Sequence, residues 1–178
     1  GLGYSFVNTG LISKIAKLLY KISLKFAKEV WVLNSDDKEI LIEEGITDKE
    51  KIFILPGEGI DTNLFKPLKK EREDDKKVFL MISRAIFDKG VAEYAKAAEL
   101  AKEKYGDKVE FQFLGAVAED KKDGFIKEDM DELVKNNIIN YLGITNDVPS
   151  SVKEADCIVL PSYREGISRV LLEAASME

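Results

Sequence analysis

From residue 29 onward, apolar and polar blocks alternate along this chain in a strand-then-helix rhythm. Before that rhythm begins, residues 12–28, ISKIAKLLYKISLKFAK, repeat with the helical period. Lys14, Lys17, Lys21, Lys25 and Lys28 step by three or four and gather on one face, while Ile12, Ile15, Leu18, Leu19, Ile22 and Phe26 fall roughly opposite. Two readings fit this helix: a core-packed element with a lysine-rich solvated face, or a basic amphipathic helix resting on anionic lipid. EVWVLN (29–34) reads as a buried strand, 35–44 as a helix ended by Gly45, and KIFILP (51–56) as a second strand. The loop GEGIDTNLFKP follows. LKKEREDDKK (68–77) reads as a solvated linker, which places a domain boundary near 66–77.

Beyond that run the alternation is regular. Strands are predicted at 78–83, 109–115, 138–143 and 156–161, and helices at 90–105, 126–136, 147–154 and 166–177. Strands that read as unbroken apolar runs between helices predict an α/β architecture, a doubly wound parallel sheet covered on both faces. Ligands of such sheets bind beyond the carboxyl ends of the strands.

Composition removes whole classes of chemistry. The chain has no histidine and one cysteine, so zinc sites and Cys/His or Ser/His nucleophiles lack their parts. Cys157 lies inside the apolar run CIVLP and reads as a buried structural residue. A net charge of -6 carries no global footprint for nucleic acid. No apolar run has membrane-spanning length, and a cytoplasmic location is the expectation. The chain opens at Gly1 without a methionine and stops at EAASME inside a helical pattern, from which we expect a piece of a longer protein.

Three loops hold candidate chemistry. In SRAIFDKG, Arg84 and Lys89 sit at a strand's carboxyl end beside a helix start closed by Gly90. Two cations there suit a diphosphate, although two ordinary surface charges fit the spacing as well. In YREGISRVLLEA, Glu165 and Glu173 are eight positions apart with Arg169 midway. Eight helical residues rise about 12 Å and turn about 80° beyond two full turns, so both carboxylates face one groove, apt for the two sugars of a nucleotide-sugar. A structural ladder of i,i+4 pairs through Arg169 fits equally. YLGITNDVP (141–149) is a third such loop, with backbone groups to offer a base.

The order of these pieces, GEGIDTNLFKP, SRAIFDKG, FLG, YLG and DCIVLPSYREGISRVLLEA, resembles the retaining GT-B glycosyltransferases of family 4 (glycosyl transferases group 1) over nearly the whole chain. The last piece matches that family's E-x7-E motif. The opening GLGYSF and the basic helix look most like bacterial members that extend undecaprenyl-diphosphate-linked glycans, among them N-acetylgalactosaminyltransferases. The resemblance implies two Rossmann-like domains. Residues 1–65 become the end of the acceptor-side domain with its crossing segment, 66–77 a charged linker, and 78–178 the first part of the nucleotide-sugar domain.

It also implies roles. Arg84 and Lys89 hold the diphosphate and stabilise the departing nucleotide, Glu165 contacts the transferred sugar, and Glu173 meets the ribose. Backbone groups of Gly166, Ile167 and Ser168 approach sugar and phosphate, and Gly143 lines the donor site. Many members carry glycine where Ser168 stands. The implied reaction moves a hexose or N-acetylhexosamine from a UDP-sugar, favoured over GDP, to a lipid-linked glycan, with retention and with neither cofactor nor metal. The implied partners are the donor, a lipid-linked or glycan acceptor and, through the 12–28 helix, the inner face of the cytoplasmic membrane. The rivals are a capsule or lipopolysaccharide transferase using another sugar nucleotide, and a nucleotide-sugar-binding module without turnover.

Overall fold

The structure, a computed structural model, describes Leu2, Phe6 and residues 10–177. Most of the glycine-rich opening GLGYSFVNTG therefore lies outside the described residues. The chain forms two compact units, Gly1–Gly59 with Glu165–Ser168, and Ile60–Arg164 with Arg169–Glu178.

In the first unit, helix α1 (Leu11–Leu24) precedes strand β1 (Val30–Val32), helix α2 (Ser35–Glu43) and strand β2 (Ile52–Ile54). The two strands pair in parallel, Val30 opposite Ile52 and Trp31 opposite Phe53. Helix α2 has a complete set of local end signals. Asn34 caps it, accepting the Asp37 N–H at 2.7 Å, with Asp36 and Asp37 in the first turn where the helix dipole favours negative charge. At the other end Gly45 turns left-handed, φ 58°, and Ile46 N–H reaches back to Leu41 O at 2.9 Å. That closure brings the buried Ile46 onto the buried Leu41, as a Schellman ending does. Val30, Val32, Leu41, Ile46 and Ile52 form the core of this unit, while Trp31 and Phe53 on the other sheet face remain exposed.

Helix α1 departs from the core-packed reading. Ser13 is its buried residue, Ala16 and Leu24 are half-buried, and the apolar positions expected inside point outward. The lysines also border the apolar stripe rather than oppose it, because the helical rotation leaves Lys25 next to Leu18.

The second unit runs β3 (Lys77–Ile82), α3 (Val91–Tyr105), β4 (Val109–Leu114), α4 (Lys127–Lys135), β5 (Asn140–Gly143), α5 (Val148–Val152), β6 (Cys157–Ile158) and α6 (Arg169–Ala175). Its four strands are all parallel, in the order β5-β4-β3-β6. Alternate residues feed two faces. Phe79, Met81, Phe111 and Phe113 enter one core with Tyr94, Ala98, Met130 and Ile139. Ile82 and Ile158 enter the other, with Phe65, Val152 and Met177. The expected α/β sheet covered on both faces is thus present.

Tyr94, 1% exposed, puts its hydroxyl within 2.8 Å of Phe79 O and 2.9 Å of Gln112 O, bracing α3 on β3 and β4. Burial pushes its phenol well above the usual tyrosine range, so it stays a neutral donor. Tyr94→Phe is expected to cost about 1 kcal/mol, lowering the melting temperature by about 2–4 °C. An unchanged thermal melt would show the hydroxyl to be idle.

The charged run before β3 is pinned rather than free. Lys70 and Arg72 both pair with Asp156, at 2.8 and 2.6 Å, and the Glu71 and Arg72 N–H groups donate to the Glu154 carboxylate. Asp156 also accepts the Val78 N–H at 2.8 Å. Two sequence expectations change nearby. Strand β6 is two residues long, although Asp156 N–H and Val159 N–H extend its bonding to Val78 O and Leu80 O. Cys157, expected to be buried, is exposed, because β6 is the last strand of the sheet and the cysteine stands on that edge.

Candidate functional site

The loop after β3 is built on glycines. A Cβ at Gly115 would lie 1.8 Å from Ser83 O, and one at Gly124 would lie 2.1 Å from Ala85 O, so the segment 115–125 presses directly on the loop backbone. Ala85 is fully buried there. It donates to Ala116 O and accepts from Phe125 N–H, both at 2.8 Å. Arg84, next in sequence, is exposed on this rigid backing and makes no ion pair among the described residues. The loop then forms a short 3-10 turn, Phe87–Lys89, with Lys89 half-buried, and closes at Gly90 in the left-handed conformation, φ 76°, where α3 begins. Arg84 and Lys89 are thus carried by one braced loop at the carboxyl end of β3, as expected.

A second loop meets it. Strand β3 lies between β4 and β6, and the chain leaves it first toward β4 and β5, then returns to its other side as β6. The carboxyl ends of β3 and β6 are therefore the point where the winding reverses, the place such sheets offer to ligands. Contacts between the two loops are close. A Cβ on Gly90 would fall 2.2 Å from Pro161 O, Tyr163 N–H donates to Asp88 O at 3.1 Å, and Tyr163 Oη donates to Glu93 Oε1 at 2.5 Å. That hydroxyl lowers the Glu93 carboxyl below its ordinary value, and the carboxylate raises the Tyr163 phenol above its own. Sequence reasoning missed Pro161, Tyr163 and Glu93. The one available signal was the glycine at position 90, read as a helix start rather than as room for a neighbouring loop.

The region of the two glutamates is corrected. Helix α6 begins at Arg169, not at 166, so Glu165 stands outside it and the helical spacing between Glu165 and Glu173 does not apply. The cause lies in the first unit. Asn34 Nδ2 donates to Glu165 O at 3.2 Å, taking the carbonyl that a helix would give to residue 169. Gly166 lies so close to Leu33 that a Cβ would meet its Cδ1 at 3.0 Å, and the Ile167 side chain lies against Gly57. Gly166, Ile167 and Ser168 thus precede the helix as non-helical chain belonging to the first unit. In the second unit, the Glu173 side chain is 12% exposed and pairs with Arg169 at 3.6 Å, one rung of the expected ladder. Gly143 ends β5 with φ 75° and accepts the Gly115 N–H at 2.7 Å, joining the FLG and YLG corners. Among the described residues no cluster of three metal-ligating side chains occurs.

A family model described as "Glycosyl transferases group 1" matches residues 64–178. The chain belongs to that family. Among curated relatives, it is 30% identical over 189 residues to the N,N'-diacetylbacillosaminyl-diphospho-undecaprenol alpha-1,3-N-acetylgalactosaminyltransferase of Campylobacter jejuni, covering 98% of this chain and 48% of that protein. It is 31% identical over 195 residues to the UDP-Gal:alpha-D-GlcNAc-diphosphoundecaprenol alpha-1,3-galactosyltransferase of Escherichia coli, covering 98% and 47%. The chain therefore spans about half the length of the curated relatives it matches. Among solved structures, Anabaena HepE in complex with UDP and glucose superposes with a TM-score of 0.71 at 22% identity, covering 89% of this chain and 46% of that one. The fold is the GT-B type of group 1 glycosyltransferases.

Proposed function

We propose that this chain carries the nucleotide-sugar-binding part of a retaining glycosyltransferase, which moves a hexose or N-acetylhexosamine from a UDP-sugar to a lipid-linked glycan. The observation that carries the reading is the winding reversal at β3 and β6, with the braced Arg84–Lys89 loop stitched to the Pro161–Tyr163 loop. Membership of the group 1 family and the diphosphoundecaprenol substrates named for both relatives support the reaction and acceptor class. The UDP and UDP-galactose in the names of two similar proteins support uridine as the base.

In this reading the bond between the anomeric carbon and the diphosphate breaks with its electron pair staying on UDP. The positive charges of Arg84 and Lys89 stabilise that developing anion, a part a metal plays elsewhere, so no metal is required. Glu173 accepts hydrogen bonds from the ribose hydroxyls. Glu165 contacts the transferred sugar, with backbone groups of Gly166, Ile167 and Ser168 beside it. Gly143, whose corner is open, leaves room for the base. The acceptor hydroxyl attacks from the face the nucleotide leaves, which preserves configuration without a protein nucleophile.

Calorimetric titration of the chain with UDP tests the site. Binding is expected, weakened ~10–100-fold by Arg84→Ala and by Glu173→Ala, the range of a lost charge-assisted hydrogen bond. Lys104→Ala, on an exposed lysine at the far end of α3, should leave it unchanged. A folded chain that binds neither UDP nor GDP would sink the proposal.

A further inference from the structure

We infer that α1 and the residues just after it form a docking surface for an anionic membrane, and that the helix lies flat in the lipid interface. Ile12, Ile15, Leu18, Leu19, Ile22 and Phe26 are between 50% and 81% exposed. At about 100° per residue the five on α1, Ile12 to Ile22, fill one continuous arc of about 120°, and Phe26 follows just beyond the helix end. The side of α1 that packs, through Ser13, Ala16 and Leu24, lies roughly opposite that arc, so the helix is held from behind and presents its apolar face outward. This differs from the exposed Trp31 and Phe53, which lie on a bare sheet face that a further layer of a doubly wound sheet would cover.

Charge selects the occupant. No acidic residue falls between Leu11 and Lys28, and Lys14, Lys21, Lys25 and Lys28 are all exposed. Lys17 is spent internally, paired with Glu44 at 2.6 Å. An apolar arc bordered by a row of cations, on a chain whose net charge is -6, fits a surface that is both apolar and locally negative. Acidic lipid headgroups over acyl chains supply that combination. Among the described residues no helix is long and apolar enough to cross a membrane, so the contact is interfacial. The inference stands apart from the donor site, and its failure would leave UDP binding untouched.

Flotation with vesicles of phosphatidylglycerol and phosphatidylcholine tests it on the chain as it is. The chain is expected to float at low salt, to be released at high salt, and to ignore pure phosphatidylcholine. Replacing Lys14, Lys21 and Lys25 together by glutamine should weaken partitioning by about 100-fold, roughly 5-fold per lysine near a charged surface. The same change at Lys104, Lys121 and Lys122 should not. Leu18→Ser with Ile22→Ser should remove binding at any salt without moving the melting temperature, since both side chains are exposed. Equal binding to neutral vesicles, no flotation, or unchanged flotation of either α1 variant would overturn the inference. So would a dimer in sedimentation that the serine pair converts to monomer, because a second copy would then cover the arc.

Discussion

Gly90→Ala is expected to destabilise the second unit by about 3 kcal/mol and to remove UDP binding from the molecules that still fold. Two costs combine. Position 90 is left-handed, φ 76°, which charges any non-glycine residue about 1–2 kcal/mol. In addition, the new Cβ would fall 2.2 Å from Pro161 O and 2.8 Å from its carbonyl carbon, backbone atoms that cannot rotate away. The two loops must separate, and with them the Tyr163 bonds to Asp88 and Glu93. Gly45→Ala isolates the first cost, for Gly45 is also left-handed, φ 58°, and the nearest atom to its Cβ is the flexible Lys21 Nζ at 3.7 Å. That variant should lose only about 1 kcal/mol and keep its UDP affinity. Urea unfolding of the two variants, compared at equal slope, gives the difference. Equal losses would mean that the Gly90–Pro161 contact constrains nothing.

The second large effect is expected at Asp156. Its carboxylate takes the Val78 N–H at the head of the central strand and holds both Lys70 and Arg72. Asp156→Ala leaves that donor and Lys70 without their acceptor and takes one partner from Arg72, which keeps Asp74 and the Lys76 carbonyl, and should cost about 2–4 kcal/mol. Asp156→Asn keeps an oxygen for Val78 and should cost roughly half as much. A pH dependence follows. Partial burial would raise this carboxyl, but the Lys70 hydrogen bond, the Val78 N–H and the Lys70 and Arg72 charges outweigh it and hold the group at about 2, against an ordinary 3.8. A depressed carboxyl contributes stability that is complete above the unfolded value and disappears as pH falls through the folded one. About 1–2 kcal/mol should therefore be lost between about pH 4 and pH 2, after allowing for a side chain a quarter exposed to solvent. In Asp156→Asn that portion of the acid transition should be absent. A variant that tracks the parent chain across this window would refute the assignment.

Much of the fold is legible in the sequence alone. Every strand and helix expected from residue 29 onward is present within a few residues of its place, because apolar runs and helical periods are written in neighbouring positions. The ends of α2 are the clearest case, with Asn34 and Gly45 each acting on residues within five positions. The placement of the loop after β3 was legible for the same reason: Arg84, Lys89 and Gly90 are close in sequence and remain close on one braced turn.

The misreadings share one cause, a partner far along the chain. Helical period alone carried α6 back to Gly166, but Asn34, 131 positions away, holds the Glu165 carbonyl and the helix starts at Arg169. Cys157 sits in an apolar run and was expected inside, yet whether such a residue is buried depends on which strand becomes its neighbour, and β6 is the edge. The stripe on α1 announced amphipathicity, while the direction it faces depends on the opposite side, where Ser13 is buried and Leu24 packs on the core of the first unit. Propensity and period are local energies and can be summed along the chain. Occupancy of an acceptor, of a sheet edge or of an apolar face is a competition among distant groups, and folding alone resolves it.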